Sequence, residues 1–394
     1  MLLGTGDNRV VQVDIAQKRE IREFGTRVFV PIEVVAAARG QAFVVSGDEN
    51  AAPYLISWIG GHTQMQRLSA ARARSSNRNE AAVNISPDGT LVAWGTTRNE
   101  VQVADTRTST KVKKTLTVDD PNHVVISADN KYVIVNSGQK QIFVADIATG
   151  TVRPLGTGYF KWGLTDDTGR YFFGVGNSPQ NETYAAYFDL QEGKKLWEQT
   201  DKQNVLGHYP FFFSAEEVGY VNRYRDFIVL LNRQTGAMRK TSFALENLAA
   251  NSAVRKRIQA LENTVVDGQI VKRAAATGLN DSYALFAKFE DTALKLYRGD
   301  GGEKVADLIF AAKSNEWAVV TPDGRFDASE GMLKQLYYTK GRDIIALEAL
   351  SEKFYTPNLL AQLISAAPEP TPKKDDIKNL KLPPLARITA PVDI

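Results

Sequence analysis

The chain of 394 residues contains no cysteine. That excludes disulfides, thiolate zinc sites and a cysteine nucleophile within it. No apolar stretch approaches the roughly eighteen residues that a membrane-spanning helix needs. Neither sign of charge dominates: 48 basic against 45 acidic residues leave +3, so nothing in the balance points to nucleic acid or a membrane as partner. Histidine is sparse, and His62, His123 and His208 fall in no helical metal motif. Gly299-Asp-Gly-Gly302 lacks the lysine and following helix of a phosphate cradle, and no Gly-x-Ser-x-Gly elbow occurs. The expectation is therefore no metal, no cofactor and no catalytic residue. The start, Met1-Leu-Leu-Gly-Thr-Gly-Asp7, lacks the basic and apolar regions of a signal peptide and reads as the middle of a repeat unit. The default compartment is the cytoplasm, or an extracytoplasmic one if Met1 is an internal start.

What is present is a repeat. Four apolar segments end in Asp or Asn before a polar turn: Val-Gln-Val-Ala-Asp105, Ile-Phe-Val-Ala-Asp146, Ala-Ala-Tyr-Phe-Asp189 and Ile-Val-Leu-Leu-Asn232, at steps of 41, 43 and 43 residues. A period of roughly 40–45 residues with four short strands per unit marks a β-propeller of WD-repeat type. The unit's first hairpin turn is clearest in Ser86-Pro-Asp-Gly89, where proline presets φ and glycine supplies the positive φ. Weaker copies are Ser127-Ala-Asp-Asn130, Asp166-Asp-Thr-Gly169 and Thr321-Pro-Asp-Gly324. Strands such as Tyr132-Val-Ile-Val135 and Tyr171-Phe-Phe173 suit blades packed on both faces. Third-strand ends near Asp14, Trp58, Asp105, Asp146, Asp189, Asn232 and Arg298 count seven blades. Six or eight stay open because the stretch 31–66 is irregular. The first unit lacks its opening strand, which Glu316-Trp-Ala-Val-Val320 is placed to supply, closing the ring.

The expected fold is thus all-β, a seven-bladed WD-like β-propeller over 1–326, with a helical insertion and a short C-terminal helical connector. The insertion, about 244–273, rests on Leu245, Leu248, Ala249, Val254, Ile258 and Leu261 at helical spacing. In the connector, 327–365, helices are expected over 332–336, over 343–350 with Asp343 as N-cap, and from Pro357 through Ile364. Residues 366–394 read as a Pro-rich charged linker followed by the start of an absent domain.

Two connections between a fourth strand and the next first strand carry candidate recognition residues, because such connections open on the central funnel. One is Gly156-Thr-Gly-Tyr159-Phe-Lys-Trp162 and the other Leu206-Gly-His208-Tyr-Pro-Phe-Phe-Phe213. Tyr159, Lys161, Trp162, His208 and Tyr209 are the candidate ligand- or partner-binding residues, aromatics and cations of the kind that anchor interfaces. The competing reading makes 211–213 a buried inner strand. The strand-end carboxylates are read as acceptors for the turn that follows, not as a catalytic set. The basic run 67–78 is read as a solvated loop.

The stretch Glu316-Trp-Ala-Val-Val-Thr-Pro-Asp-Gly-Arg-Phe-Asp327, with Leu336-Tyr-Tyr, Phe354-Tyr-Thr-Pro-Asn-Leu-Leu-Ala-Gln-Leu363 and Leu382-Pro-Pro-Leu-Ala-Arg-Ile-Thr-Ala-Pro391, resembles the segment joining a WD-like propeller to the peptidase of bacterial caspase-family proteins. Departures from the WD pattern are plain: Ala104, Ala145, Phe188 and Leu231 stand at the Trp of the Trp-Asp pair. The resemblance implies a non-catalytic binding or scaffold module, with a protein or peptide partner, that regulates an attached or neighbouring caspase-like peptidase. No catalytic residue transfers, since that peptidase needs a His–Cys pair. The alternatives are a propeller hydrolase or lyase with its site in the funnel, and an extracytoplasmic assembly scaffold. The sequence leaves the oligomeric state open.

Overall fold

A computed structural model describes residues 53–57, 63–68, 82–107, 112–176, 182–200, 210–212, 214–220, 228–240, 295–297, 303–311, 315–338 and 344–364 with their side chains, and further strands by their backbone alone. Antiparallel meanders dominate it. Sheet I comprises Leu2–Gly4, Val10–Asp14 and Arg19–Phe24; sheet II comprises Pro31–Ala37, Gln41–Ser46, Pro53–Ser57 and Gln64–Arg67. Sheet III runs Val83–Ile85, Leu91–Thr96, Glu100–Asp105 and Val112–Thr117; sheet IV runs Pro121–Ile126, Tyr132–Ser137, Gln141–Asp146 and Val152–Thr157. Sheet V runs Trp162–Thr165, Tyr171–Asn177, Thr183–Asp189 and Lys194–Asp201; sheet VI runs His208–Phe212, Glu217–Asn222, Phe227–Asn232 and Met238–Ser242. Sheet VII begins with Ala276–Gly278, Leu285–Glu290, Ala293–Arg298 and Lys304–Ala311 and is longer than the rest. The protein is all-β and propeller-like.

The turns explain why the strands end where they do. In 86–89 the Gly89 N–H bonds the Ser86 carbonyl at 2.8 Å with Gly89 at φ 71°. Asp88 closes the loop, accepting from the Ser86 hydroxyl at 2.6 Å and the Thr90 N–H at 3.0 Å. Asn130 replaces the glycine one repeat later at φ 60°, a conformation asparagine tolerates, and its amide reaches back to Asp88 at 2.7 Å. The strand-end carboxylates behave as expected: Asp146 accepts the Thr149 N–H at 2.7 Å, and Asp189 that of Glu192 at 2.9 Å. Asn232 accepts from both Gln234 and Thr235 at 3.0 Å. Four residues on, Gly150, Gly193 and Gly236 take positive φ and return their N–H groups to residues 146, 189 and 232.

Strand alternation divides each sheet between two neighbours. In sheet IV, Val133 and Val135 pack towards sheet III with Ala93, Val101 and Val103. Ile134, Ile142 and Val144 pack towards sheet V with Phe172, Ala186 and Phe188. Phe173, Val175 and Tyr187 join sheet V to Val218, Tyr220 and Val229 of sheet VI. Leu55 and Leu68 of sheet II meet Val83, Val92 and Trp94 of sheet III. The first strands of sheets II to VI follow one another side by side. Between sheets V and VI the guanidinium of Arg233 adds a rivet: Nε donates to the Tyr187 hydroxyl at 2.8 Å, and the group lies 5.2 Å from the Phe212 ring centroid. Burial pushes the Tyr187 hydroxyl up to about 12, partly offset by Arg233.

Two expectations are corrected. First, Trp317–Val320 does not pair with sheet I. It pairs with Lys304–Ala311 and with Phe326–Ala328, extending sheet VII. The reason is local: five intervening residues make a hairpin, closed by the Ala311 N–H to Glu316 carbonyl bond at 3.0 Å. Second, Asp343 caps no helix. Asp343–Ala346 is a strand paired with Tyr337–Lys340, followed by a 3₁₀ turn at Leu347–Leu350. Ile344 and Ile345 are β-branched and face Thr339 and Tyr338 across the hairpin, where such pairs favour strand. Within the span of the expected insertion, Val265–Val266 pairs with Gln269–Ile270 as a hairpin. Its two valines and the Asp-Gly pair between the strands favour that form. Leu245, Leu248, Ala249, Val254, Ile258 and Leu261, on which the expected helix rests, lie outside the described residues with the remainder of that span, as does the linker 366–394.

Among its described residues the connector holds three α-helices, α1 (Glu330–Leu333), α2 (Ser351–Phe354) and α3 (Leu359–Ile364). A six-residue helix is too short to persist alone. α3 exists because Leu359, Leu360 and Ile364 bury in a core shared with Tyr54, Ile56 and Met65 of sheet II and Leu308, Phe310 and Trp317 of sheet VII. Asn358, at φ 61°, delays its start beyond Pro357. Sheet VII therefore packs directly on sheet II.

Candidate partner-binding face

Residues 158–161 carry the chain from the last strand of sheet IV to the first of sheet V, and the packing there is tight. Gly158 sits at φ 147°, and a Cβ on it would meet the Tyr184 ring at 2.6 Å. A Cβ on Gly176 would stand 2.1 Å from the Tyr159 carbonyl. The Gly158 N–H donates to the Lys140 carbonyl at 2.8 Å, and its own carbonyl accepts the Asn136 side-chain amide at 3.1 Å. The Lys161 N–H reaches Val175 at 3.0 Å. Phe160 anchors the segment from below, buried edge-on against Phe172 at 5.0 Å. With the backbone fixed, the flanking side chains are presented rather than buried.

Three of the expected residues come together here. Tyr159, Lys161 and Trp162 are each half-buried. The Lys161 ammonium lies 5.1 Å from the Trp162 ring centroid, within cation–π range. The Tyr159 hydroxyl shares a 2.7 Å hydrogen bond with His123 Nε2, and the two rings meet edge-on at 5.4 Å. His123, on the first strand of sheet IV, belongs to the face but was not singled out by sequence reasoning. Spacing offered no lead: it stands 36 residues before Tyr159, short of the 41–43-residue repeat. His208 and Tyr209 occupy the first strand of sheet VI, opposite Asn222 and Val221. That strand lies beside Trp162–Thr165, so the backbones of the two expected segments are neighbours. The side chains of His208 and Tyr209 lie outside the described residues. Phe211 is buried, as the inner-strand reading had it.

Below the face, Tyr184 donates to the Thr157 carbonyl at 3.2 Å and contacts Glu198 at the same distance. Burial, with the Glu198 charge, pushes its hydroxyl pKa upward. Among the described residues no group of three or more His, Asp or Glu is placed to hold a metal ion.

A separate cleft of about 640 Å³ opens between sheet II, sheet VII and the connector. Its walls include Met65, Trp317, Asp327 and Tyr355. Asp327 is buried; burial raises its carboxyl pKa, against backbone N–H donation from Leu359, Asn358 and Ala328 and contact with the Tyr355 hydroxyl.

No family model matches the chain, and neither does any curated protein. Among solved structures, one described as "KlHsv2 with loop 6CD replaced by a Gly-Ser linker" is similar at 10% identity and a TM-score of 0.39. It covers 59% of this chain and 78% of its own.

Proposed function

We propose that the chain is a WD-like β-propeller of seven blades, sheets I to VII, acting as a non-catalytic platform that binds a protein or peptide partner. The contact residues in this reading are His123, Tyr159, Lys161 and Trp162, continued by His208 and Tyr209. The observation that carries it is the cation–aromatic pair Lys161–Trp162 beside the His123–Tyr159 hydrogen bond, on a backbone clamped by Gly158, Gly176 and Phe160. A rigid, half-exposed aromatic and cationic cluster binds at little ordering cost. Following the family resemblance of the 316–363 stretch, the connector would hand this platform to an attached or neighbouring caspase-like peptidase, whose action the bound partner regulates.

The direct packing of sheet VII on sheet II favours one specific alternative for the blade count: a ring of six with sheet I outside it. Cross-links between sheet I and its neighbours decide between the two. Affinity capture tests the function: wild type is expected to enrich a defined protein that Tyr159→Ala with Lys161→Glu releases. Equal recovery by both would overturn the reading.

A further inference from the structure

The cleft between sheet II, sheet VII and the connector holds a charge that no described residue neutralises. Among the described side chains that line it, Asp327 is the charged one, and it is 4% exposed. Its oxygens are satisfied. The N–H groups of Leu359, Asn358 and Ala328 donate to it, the first at 3.2 Å, and the Tyr355 hydroxyl touches it. An ionised carboxylate offers about four lone-pair positions, and these donors fill them. All of the donors are neutral, so they satisfy the oxygens without cancelling the charge. The nearest cation in the chain, Arg325, is turned to Asp323 at 2.7 Å instead.

The missing partner is therefore an opposite charge that makes no demand on lone pairs. A primary ammonium or a guanidinium recognises a carboxylate by N–H donation and finds the acceptors here occupied. A quaternary ammonium has no N–H and acts through its charge. The walls suit such a group: Trp317, Tyr355 and Met65 line the cleft with Asp327, and aromatic rings with a polarisable thioether are surfaces that quaternary ammonium groups favour. Tyr355 is fixed in place. Its backbone bridges Phe326, the Thr356 N–H reaches the Phe326 carbonyl at 2.8 Å, and the Phe326 ring backs it at 5.8 Å. The volume of about 640 Å³ lies in the ordinary range for ligand sites. On the bordering strand the Arg67 N–H is held by the Asn315 side-chain oxygen at 3.0 Å, which favours a small solute over a peptide backbone as occupant.

We propose that this cleft binds a small solute bearing a quaternary trimethylammonium group, its cationic head lying against Trp317 and Tyr355 within Coulomb reach of Asp327. The site is independent of the Tyr159 face.

The test is isothermal titration calorimetry of the full chain at neutral pH with choline as probe. Two analogues accompany it: the neutral isostere in which a tert-butyl group replaces trimethylammonium, and ethanolamine, the primary ammonium. Choline is expected to saturate. The isostere should bind at least about tenfold more weakly, having lost the cation–aromatic and Coulomb attraction. Ethanolamine should bind at least about threefold more weakly, because its donors leave water for acceptors already occupied. Asp327→Asn should bring choline and the isostere to within about twofold of each other. Because Asp327 also supports α3, the exposed Gln64 provides a second handle. Gln64→Lys should weaken choline by about twofold or more through like charge near the cleft, while Lys161→Glu leaves it unchanged. The proposal is overturned if choline does not saturate, if the isostere or ethanolamine binds as tightly, if Gln64→Lys has no effect, or if Lys161→Glu abolishes binding. Capped trimethyl-lysine and phosphatidylcholine vesicles carry the same head, and either one binding at least about tenfold tighter than choline would overturn the assignment to a free solute.

Discussion

Sheets III to VI and the seam joining sheet VII, sheet II and the connector use the same apolar residue types under different rules. In the regular sheets each contact partner lies about one repeat away, as Asn130 lies 42 residues from Asp88. In the seam, Tyr54 and Ile56 share a core with Leu359 and Leu360, some three hundred residues on. The first region is a sum of neighbour interfaces, the logic of repeat architectures. The second exists only when sheet II meets residues some three hundred positions further along the chain. The difference teaches where each kind of site belongs: the Tyr159 face rides on the repetitive part, and the cleft at Asp327 on the seam.

Substitutions can break this comparison. The largest effect is expected from Phe172→Ala, since Phe172 is fully buried between sheets IV and V. A loss of about 3–5 kcal/mol in chemical denaturation follows from the transfer and cavity terms, and loss should spread across sheets III to VI. Leu360→Ala in the seam should cost about 2–4 kcal/mol. Hydrogen exchange should then rise in 304–320 and 359–364 while sheets IV and V keep their protection. Uniform loss of protection would show that the two regions are one cooperative unit.

Gly176→Ala should cost about 1–3 kcal/mol by overpacking, because the new Cβ would meet the Tyr159 carbonyl. It should also shift the amide signals of 159–162, reporting the backbone clamp under the face.

Acid titration sharpens the comparison by sign. Burial would raise the Asp88 carboxyl, but donation by Ser86, Thr90 and Asn130 overcomes it and holds the group down to about 2. Its stabilising contribution is present above the ordinary value of 3.8 and lost as pH falls towards 2. Asp327 in the seam is raised by burial, so the folded state holds its proton longer and stability declines as pH rises above 3.8. Denaturation midpoints between pH 2 and 6 should therefore show Asp88→Asn losing its penalty in acid, and Asp327→Asn gaining on wild type as pH rises. The smallest effect is Lys161→Ala, about 0.5–1 kcal/mol for a cation–π pair still open to solvent on one side, with the fold intact by circular dichroism.

Much of the repetitive region was legible because its determinants are local. Strands ending at Asp14, Asp105, Asp146, Asp189, Asn232 and Arg298 are where the sequence pattern puts them; at Asp105, Asp146, Asp189 and Asn232 the side chain accepts from the turn that follows and needs no tertiary partner. The 86–89 turn and its copies read for the same reason. The seam was not legible. Trp317–Val320 looked like a strand but its pairing depends on a hairpin rather than on periodicity, and Asp343 looked like a cap because its isoleucines fit either structure. Within the candidate face, Tyr159, Lys161 and Trp162 were marked by type and position. His123 was missed because its bond to Tyr159 crosses between sheets. The cleft left no motif, since Met65, Trp317, Asp327 and Tyr355 converge only after folding.

The most direct test of the binding-platform account is photo-crosslinking in cell extract, with benzoylphenylalanine placed at Trp162 and, as control, at Leu196, an exposed residue on the outer strand of sheet V. The account predicts one discrete adduct from position 162 that is absent from position 196. No adduct at 162, or the same products from both positions, would contradict it.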